Sequence, residues 1–345
     1  MENANFKLEH HHGIALKTYV LKKTPVPEPV VDAPDRHKFQ IDYRNQLNPG
    51  QYEAATSVNG PHLIVAGAGT GKTRTIVYRV AYLVELGVKP EAILLLTFTR
   101  RAAQEMLRRA SMLLDARCEN VAGGTFHSFA NLVLRQYAPL VGFESSFTIL
   151  DQGDAEDVVN LLRTRFRLDL KEKRFPRKQT LYDIFSKAVN TVRPIHEILK
   201  EEYPHYEGYL EEILRLQKAF EEYKAQHNLM DYDDLLLYLR KLLRDVENVR
   251  VTLCDRYKYI MVDEYQDTNL LQAEIVRLLA SRHGNVMVVG DDAQSIYSFR
   301  GATVRNILDF PELFKGCKII KLEENYRSTQ PILDLTNEII ARARE

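Results

Sequence analysis

The chain has 345 residues, 45% hydrophobic and 27% charged, the balance of a soluble globular protein with two or three domains of ~150 residues, which excludes global disorder, collagen-like repeats and a dense disulfide scaffold. Forty-seven basic side chains against 47 acidic ones give zero formal charge, so any nucleic-acid binding must come from a local surface and not from bulk charge. No run of ~20 apolar residues suggests a membrane span, the first residues lack the apolar centre of a secretion signal, and the scattered Cys118, Cys254 and Cys317 match neither a metal spacing nor a disulfide framework, so a reducing cytoplasm is expected.

In chain order, residues 1–36 hold Pro25, Pro27, Pro29 and Pro34, a spacing that favours an extended, stiff connector. His10, His11 and His12 read as part of a solvated tail and not as a metal site, and residues 14–21 fit either a short strand or a short helix. Leu63-Ile64-Val65-Ala66 is a buried-strand candidate that ends in a glycine-rich turn. Ile76, Val77, Val80, Leu83 and Val84 then follow helical spacing over 72–86. Ile93-Leu94-Leu95-Leu96 predicts the next strand, and Ala102, Ala103, Met106, Leu107 and Ala110 predict the next helix. Residues 129–250 break this rhythm with helical patterns such as Tyr209, Ile213, Leu216, Phe220 and Tyr223. Two more strands are expected at 259–262 and 286–289, with a helix through Leu271, Ile275, Val276 and Leu279 between them. Apolar runs alternating with amphipathic helices predict an α/β fold, a parallel sheet with helices on both faces, carrying an inserted, mostly α-helical domain.

The segment Ala66-Gly67-Ala68-Gly69-Thr70-Gly71-Lys72-Thr73 lies between a strand and a helix, where backbone N–H groups and a helix N-terminus converge on phosphate. Lys72 is placed to reach the β and γ phosphates of a nucleotide and the Thr73 hydroxyl to ligate Mg²⁺, although Ala66 stands where the pattern usually has glycine. The strand 259–262 ends in Asp263-Glu264. Asp263 is the expected carboxylate for Mg²⁺, and Glu264 is placed to orient or deprotonate an attacking water.

The acidic strand end continues as Asp263-Glu264-Tyr265-Gln266-Asp267-Thr268-Asn269, and together with six further ordered segments it resembles one family, the UvrD/Rep helicases of superfamily 1. Leu47-Asn48-Pro49-Gly50-Gln51 resembles the Q motif, and Asp263-Glu264-Tyr265-Gln266-Asp267-Thr268-Asn269 resembles motif II. Thr97-Phe98-Thr99-Arg100-Arg101-Ala102-Ala103 resembles motif Ia, where Asn-Lys is more usual than Arg100-Arg101, and Gly124-Thr125-Phe126-His127-Ser128 resembles motif Ib. Asp231-Tyr232-Asp233-Asp234-Leu235-Leu236 is similar to a signature of the family's inserted helical domain. The stretch 289–302 is similar to motif III, and Asn325-Tyr326-Arg327-Ser328 to motif IV.

The resemblance implies a RecA-like fold organised as an N-terminal segment (1–36), a first part of an ATP-binding domain (37–128), the helical insertion (129–250), a second part (251–330) and the start of a second RecA-like domain (331–345). It implies ATP and Mg²⁺ as cofactors, with Ala68, Gly69, Thr70, Gly71, Lys72 and Thr73 around the phosphates, Gln51 on the adenine edge, and Arg74 and Tyr326 stacking on the ring. Gln294 would sense the γ phosphate and Arg327 would stabilise its charge, a contribution of ~10³–10⁵ in rate. Thr97, Thr99, Arg100, Phe126, His127, Tyr297, Phe299 and Arg300 would meet single-stranded DNA through phosphate contacts and base stacking. The implied partners are single strands and junctions between single and double strands, with no membrane, and a monomer is expected. Over residues 163–178, eight basic and two acidic side chains form either a solvated face, the favoured reading, or a duplex-facing patch.

Two functions compete. One is a DNA-stimulated ATPase, the motor part of a 3′-to-5′ helicase or translocase, with the polarity implied by resemblance alone. The other is a nucleotide-gated DNA-binding module with little ATPase activity of its own. The chain stops at Glu345, so a C-terminal RecA-like domain is expected to be missing, and ATP binding without unwinding is expected of this chain. A kinase using the same loop is disfavoured, because the segments resembling motifs Ib, III and IV would have no role in it.

Overall fold

The apolar runs at 63–66, 93–96, 259–262 and 286–289 all become strands of one sheet. The computed structural model describes residues 39–168, 175–295 and 302–342. In chain order the strands are β1 (His62–Ala66), β2 (Ile93–Thr97), β3 (Ala122–Thr125), β4 (Thr148–Ile149), β5 (Leu229–Met230), β6 (Tyr259–Val262), β7 (Val286–Gly290) and β8 (Lys318–Leu322). Six of them form the main sheet in the order β3-β2-β6-β7-β1-β8, and every pairing in it is parallel.

Side chains alternate between the two faces of a strand, so continuous apolar runs feed two cores at once. Leu63, Leu94, Leu96, Ile260, Val262, Val286 and Val288 share one core with the helices Phe126–Tyr137, Tyr232–Asp245 and Leu270–Leu279. Ile64, Leu95, Met261, Met287, Val289 and Ile320 share the other with the helices Lys72–Glu85 and Arg100–Leu113. The expected α/β fold with helices on both faces is borne out.

Two strands of the sheet lie outside the expected runs. β3 is Ala-Gly-Gly-Thr, a composition that reads as a turn, and β8 is Lys-Ile-Ile-Lys-Leu, a short apolar run interrupted by lysines. Both are edge strands, where only one neighbour has to be satisfied and a half-exposed pattern suffices.

A separate core from Leu150 to Phe220 is built by the helices Gln152–Arg165, Lys178–Thr191, Ile195–Glu202 and Leu210–Gln226. The chain enters and leaves this helical body through the short parallel pair β4–β5. At its base Lys224, 5% exposed, is held by Asp231 at 2.7 Å and Asp234 at 2.5 Å. The body is tied to the sheet side by a polar chain. Asn190 Nδ2 donates to Asp233 Oδ1 at 2.7 Å, and Asn269 Nδ2 donates to Asn190 Oδ1 at 2.7 Å. Asn269 caps the helix Leu270–Leu279, directly after the acidic segment that leaves β6. Among the described residues no helix is long and apolar enough to cross a membrane.

Candidate functional site

All strands of a parallel sheet end on one edge, and a crevice forms beyond that edge where neighbouring connections leave in opposite directions. β1 lies between β7 and β8 in the sheet order, while the chain leaving it runs on to β2 on the far side of β6. The segments leaving β1, β2, β6, β7 and β8 begin at Gly67, Phe98, Asp263, Asp291 and Glu323, so the expected nucleotide residues collect at this edge.

The segment after β1 folds as a tight loop onto the helix Lys72–Glu85. Gly71 caps that helix without a side-chain hydrogen bond, which leaves first-turn N–H groups for an anion. Gly69 has φ +83°, and a Cβ there would lie 2.6 Å from Arg327 Cβ and 2.7 Å from Asn325 Oδ1. Only glycine meets both demands. The segment after β8 closes over this loop. Asn325 Nδ2 donates to the Ala68 carbonyl at 2.6 Å, and the Tyr326 N–H donates to the Gly69 carbonyl at 2.9 Å. Asn325 Oδ1 also accepts the N–H groups of Arg327 and Ser328, which fixes the turn that presents Arg327.

Lys72 Nζ lies 2.9 Å from Glu264 Oε2. This ion pair joins the phosphate loop to the acidic end of β6. Thr73, Asp263, Glu264, Gln294 and Arg327 line one cavity of about 750 Å³ together with Thr97, Thr99 and Phe98. Asp263 is 6% exposed, and its Oδ1 has no hydrogen-bond partner among the described residues. Burial, and then the charge of Glu264, push its carboxyl up to about 7, against the pull of Lys72. A buried carboxylate oxygen without a donor, facing a cavity that also holds Thr73, fits a divalent cation. Glu264 adopts left-handed backbone angles, φ 51° and ψ 48°, which turn its side chain out of the strand line.

Gln51 is positioned by the sequence before it. Asn48 caps the helix Pro49–Thr56, its side chain accepting Gln51 N–H at 2.8 Å, and Pro49 supplies a preset first turn. The Gln51 amide is 2% exposed and donates to the Thr70 carbonyl at 3.0 Å, so it supports the phosphate loop directly. Arg79, 2% exposed, holds the other end of the same helix through the carbonyls of Ala54, Ser57 and Val58. Tyr326 is 62% exposed, and its hydroxyl accepts from Asn48 Nδ2 at 2.9 Å. Arg74 bonds the Gln46 carbonyl and lies 4.9 Å over the Tyr78 ring.

The residues expected to meet DNA divide. Thr99 and Arg100 are exposed at the start of the helix Arg100–Leu113, which Thr99 caps through the Ala102 N–H. Thr97 is 2% exposed and Phe126 4%, and the Phe126 ring packs in the sheet core and does not present an open face to solvent. His127 meets Tyr232 edge-on at 5.9 Å, and burial lowers its pKa. Thr97, Phe126 and His127 line a second cavity of about 700 Å³ beside the helical body, with Asp183, Asp233, Asp263, Glu264 and Asp267. That lining is acidic, the opposite of what a phosphodiester backbone needs. Tyr297, Phe299 and Arg300 lie outside the described residues, as do 169–174 of the basic stretch, where Lys178 pairs with Asp157 at 2.5 Å and Arg165, Arg167 and Arg177 are exposed.

Sequence reasoning missed Phe98, Asn325, Asp291 and Gln266. Phe98, 43% exposed, lines both cavities. Its signal was an aromatic ring directly after a buried strand.

The model of the UvrD/REP helicase N-terminal domain matches residues 47–315. Two proteins named ATP-dependent DNA helicase PcrA, from Staphylococcus aureus (strain Mu50) and Staphylococcus epidermidis (strain ATCC 35984), are each 37% identical over 302 and 300 residues. Each match covers 87% of this chain and 40% of the relative, so the chain spans less than half the length of these curated relatives. The chain belongs to the UvrD/REP helicase N-terminal domain family.

Proposed function

We propose that this chain is the ATP-binding motor portion of a 3′-to-5′ DNA helicase or translocase, which couples Mg²⁺–ATP hydrolysis to movement on single-stranded DNA. The observation that carries the reading is the 2.9 Å pair between Lys72 and Glu264, at a cavity shared with Thr73, Asp263, Gln294 and Arg327. Family membership and the helicase relatives support the DNA side of it.

In this reading Lys72 turns from Glu264 to the β and γ phosphates, and the freed Glu264 orients the attacking water. Thr73 and Asp263 would hold Mg²⁺, which neutralises phosphate charge and acts as a Lewis acid. Arg327 and Gln294 face the γ phosphate, and the donors of the loop 68–73 cradle the rest. Tyr326 and Arg74 stack on the adenine, and Gln51 reads its edge. Thr99 and Arg100, with Phe98 beside them, form the proposed start of the DNA track, while the buried Thr97 and Phe126 and the acid-flanked His127 support the strand end and helix behind it and do not meet the DNA themselves.

On its own the chain is proposed to bind Mg²⁺–ATP without unwinding, the behaviour of a nucleotide-gated DNA-binding module. ATP hydrolysis with and without single-stranded DNA, measured on this chain and on a version extended to the length of its relatives, separates the two. Stimulation in the longer version alone supports the motor reading of the parent protein. Absence of stimulation in both leaves only the binding module.

A further inference from the structure

Gln266 has no role in the reading above, yet it is 1% exposed and its amide is fully engaged. A buried amide left without partners is destabilising, so its partners define what it does. Gln266 Nε2 donates to Glu264 Oε2 at 2.8 Å and, more weakly, to Asp267 Oδ2 at 3.5 Å. Its Oε1 accepts the Asp291 N–H at 3.1 Å, and its backbone carbonyl accepts from the Ser295 hydroxyl at 3.5 Å. The Asp291 carboxylate in turn accepts from Gln294 Nε2 and from the Ala293 N–H. A continuous hydrogen-bonded chain therefore runs Lys72–Glu264–Gln266–Asp291–Gln294.

The sheet explains why one glutamine spans this gap. β6 and β7 are parallel neighbours with Val262 opposite Val288, so the segments after them leave side by side. Gly290 keeps the space between them open. A Cβ there would lie 2.7 Å from Gln266 Oε1 and 2.5 Å from Ile307 Cδ1.

We infer that Gln266 is a positioning residue that locks Glu264 to the turn carrying Gln294, so that the two groups act on a γ phosphate as one unit. This rests on the reading of Glu264 and Gln294 as γ-phosphate-side groups. Glu264 Oε2 is shared between Lys72 and Gln266. When Lys72 turns to a triphosphate, Gln266 keeps its hold on Glu264. The oxygen of the same amide holds Asp291 and, through it, Gln294. A diphosphate draws Lys72 through its β phosphate but presents no γ phosphate to Glu264 or Gln294, so its binding depends far less on Gln266. A glutamine that only filled space would affect both nucleotides alike.

The test is calorimetric binding of Mg²⁺–adenylyl imidodiphosphate and Mg²⁺–ADP to this chain and to Gln266→Leu, Gln294→Ala and the double variant. Gln266→Leu is expected to weaken the triphosphate analogue about tenfold and ADP less than about twofold. Gln294→Ala, about tenfold by itself, is expected to add less than about twofold in the Gln266→Leu background. Gln266→Glu keeps the acceptor for Asp291 and loses the donor to Glu264, while Gly290→Ala pushes on the same amide oxygen from the other side. Both are expected to reproduce the triphosphate-selective loss, and they carry the test if Gln266→Leu does not melt cooperatively. Equal losses for both nucleotides, or additive losses in the double variant, overturn the role of Gln266 and leave the parent reading standing. A wild-type chain that binds neither nucleotide overturns the parent reading, and this inference with it.

Discussion

The ammonium of Lys72 and the carboxylate of Glu264, 192 residues apart in sequence, meet at 2.9 Å and join the glycine loop to the acidic end of β6. The pair is partly buried, with side chains 10% and 34% exposed, so its own worth is modest, on the order of 1 kcal/mol. In the proposed function its significance lies in what each partner gives up: Lys72 would leave Glu264 to meet phosphate, and that exchange would free a carboxylate for the attacking water.

Glu264→Gln removes the competing charge without changing shape. Mg²⁺–ATP affinity of this chain is expected to stay within about threefold of wild type, while phosphate release by the extended protein falls by at least ~10². Equilibrium binding and steady-state hydrolysis on the same variant check the split.

Gly69→Ala should be far worse than its size suggests. The positive φ costs ~1–2 kcal/mol for any residue with a Cβ, and that Cβ collides with Asn325 and Arg327. Thermal melting is expected to fall, and Mg²⁺–ATP affinity to drop at least about tenfold, because the segment 325–328 is pushed off the loop. Gly67→Ala, whose nearest neighbours are at 3.8 Å, should leave the melting temperature unchanged.

In the helical body, Lys224→Met should cost ~3–5 kcal/mol of unfolding free energy, because it strands Asp231 and Asp234 as buried carboxylates without a counter-ion. Burial and the charge of Asp231 already push the Asp234 carboxyl above its usual range, against the pull of Lys224. Chemical denaturation followed by circular dichroism reads the loss.

His62, 2% exposed at the start of β1, is held neutral by burial and by the charge of Arg79, its pKa pulled down to about 4. The unfolded chain takes up this proton near 6.5, and the folded chain resists it until about 4. Its contribution is therefore present above pH 6.5 and is lost as pH falls toward 4. Wild type should lose about 2 kcal/mol relative to His62→Gln between pH 7 and pH 5. The raised carboxyls of Asp263, Asp267 and Asp233 act in the opposite sense, so the difference between the two proteins carries the test, read by urea denaturation at both pH values.

Four strands of the sheet were legible because each had to be apolar on both faces, and the glycine loop and Asp263-Glu264 were legible because phosphate and magnesium demand those residue types in sequence. β3 and β8 were not, since an edge strand tolerates Gly123 and Lys318 without a tell-tale run. The burial of Phe126 depends on how the helix Phe126–Tyr137 meets the sheet, which no local pattern records. Gln266 was quoted as part of a motif and given no task, because its task exists only when β6 and β7 are side by side.

The central claim is that the glycine loop and the acidic end of β6 form one metal-dependent triphosphate site. Calorimetric titration of ATP into this chain, with and without Mg²⁺ and with Lys72→Ala and Asp263→Asn, addresses it most directly. The account predicts one site per chain, tighter with Mg²⁺, with Lys72→Ala losing at least about tenfold and Asp263→Asn losing the dependence on Mg²⁺. Saturable ATP binding that neither substitution changes, or no binding by the folded wild-type chain, would contradict it.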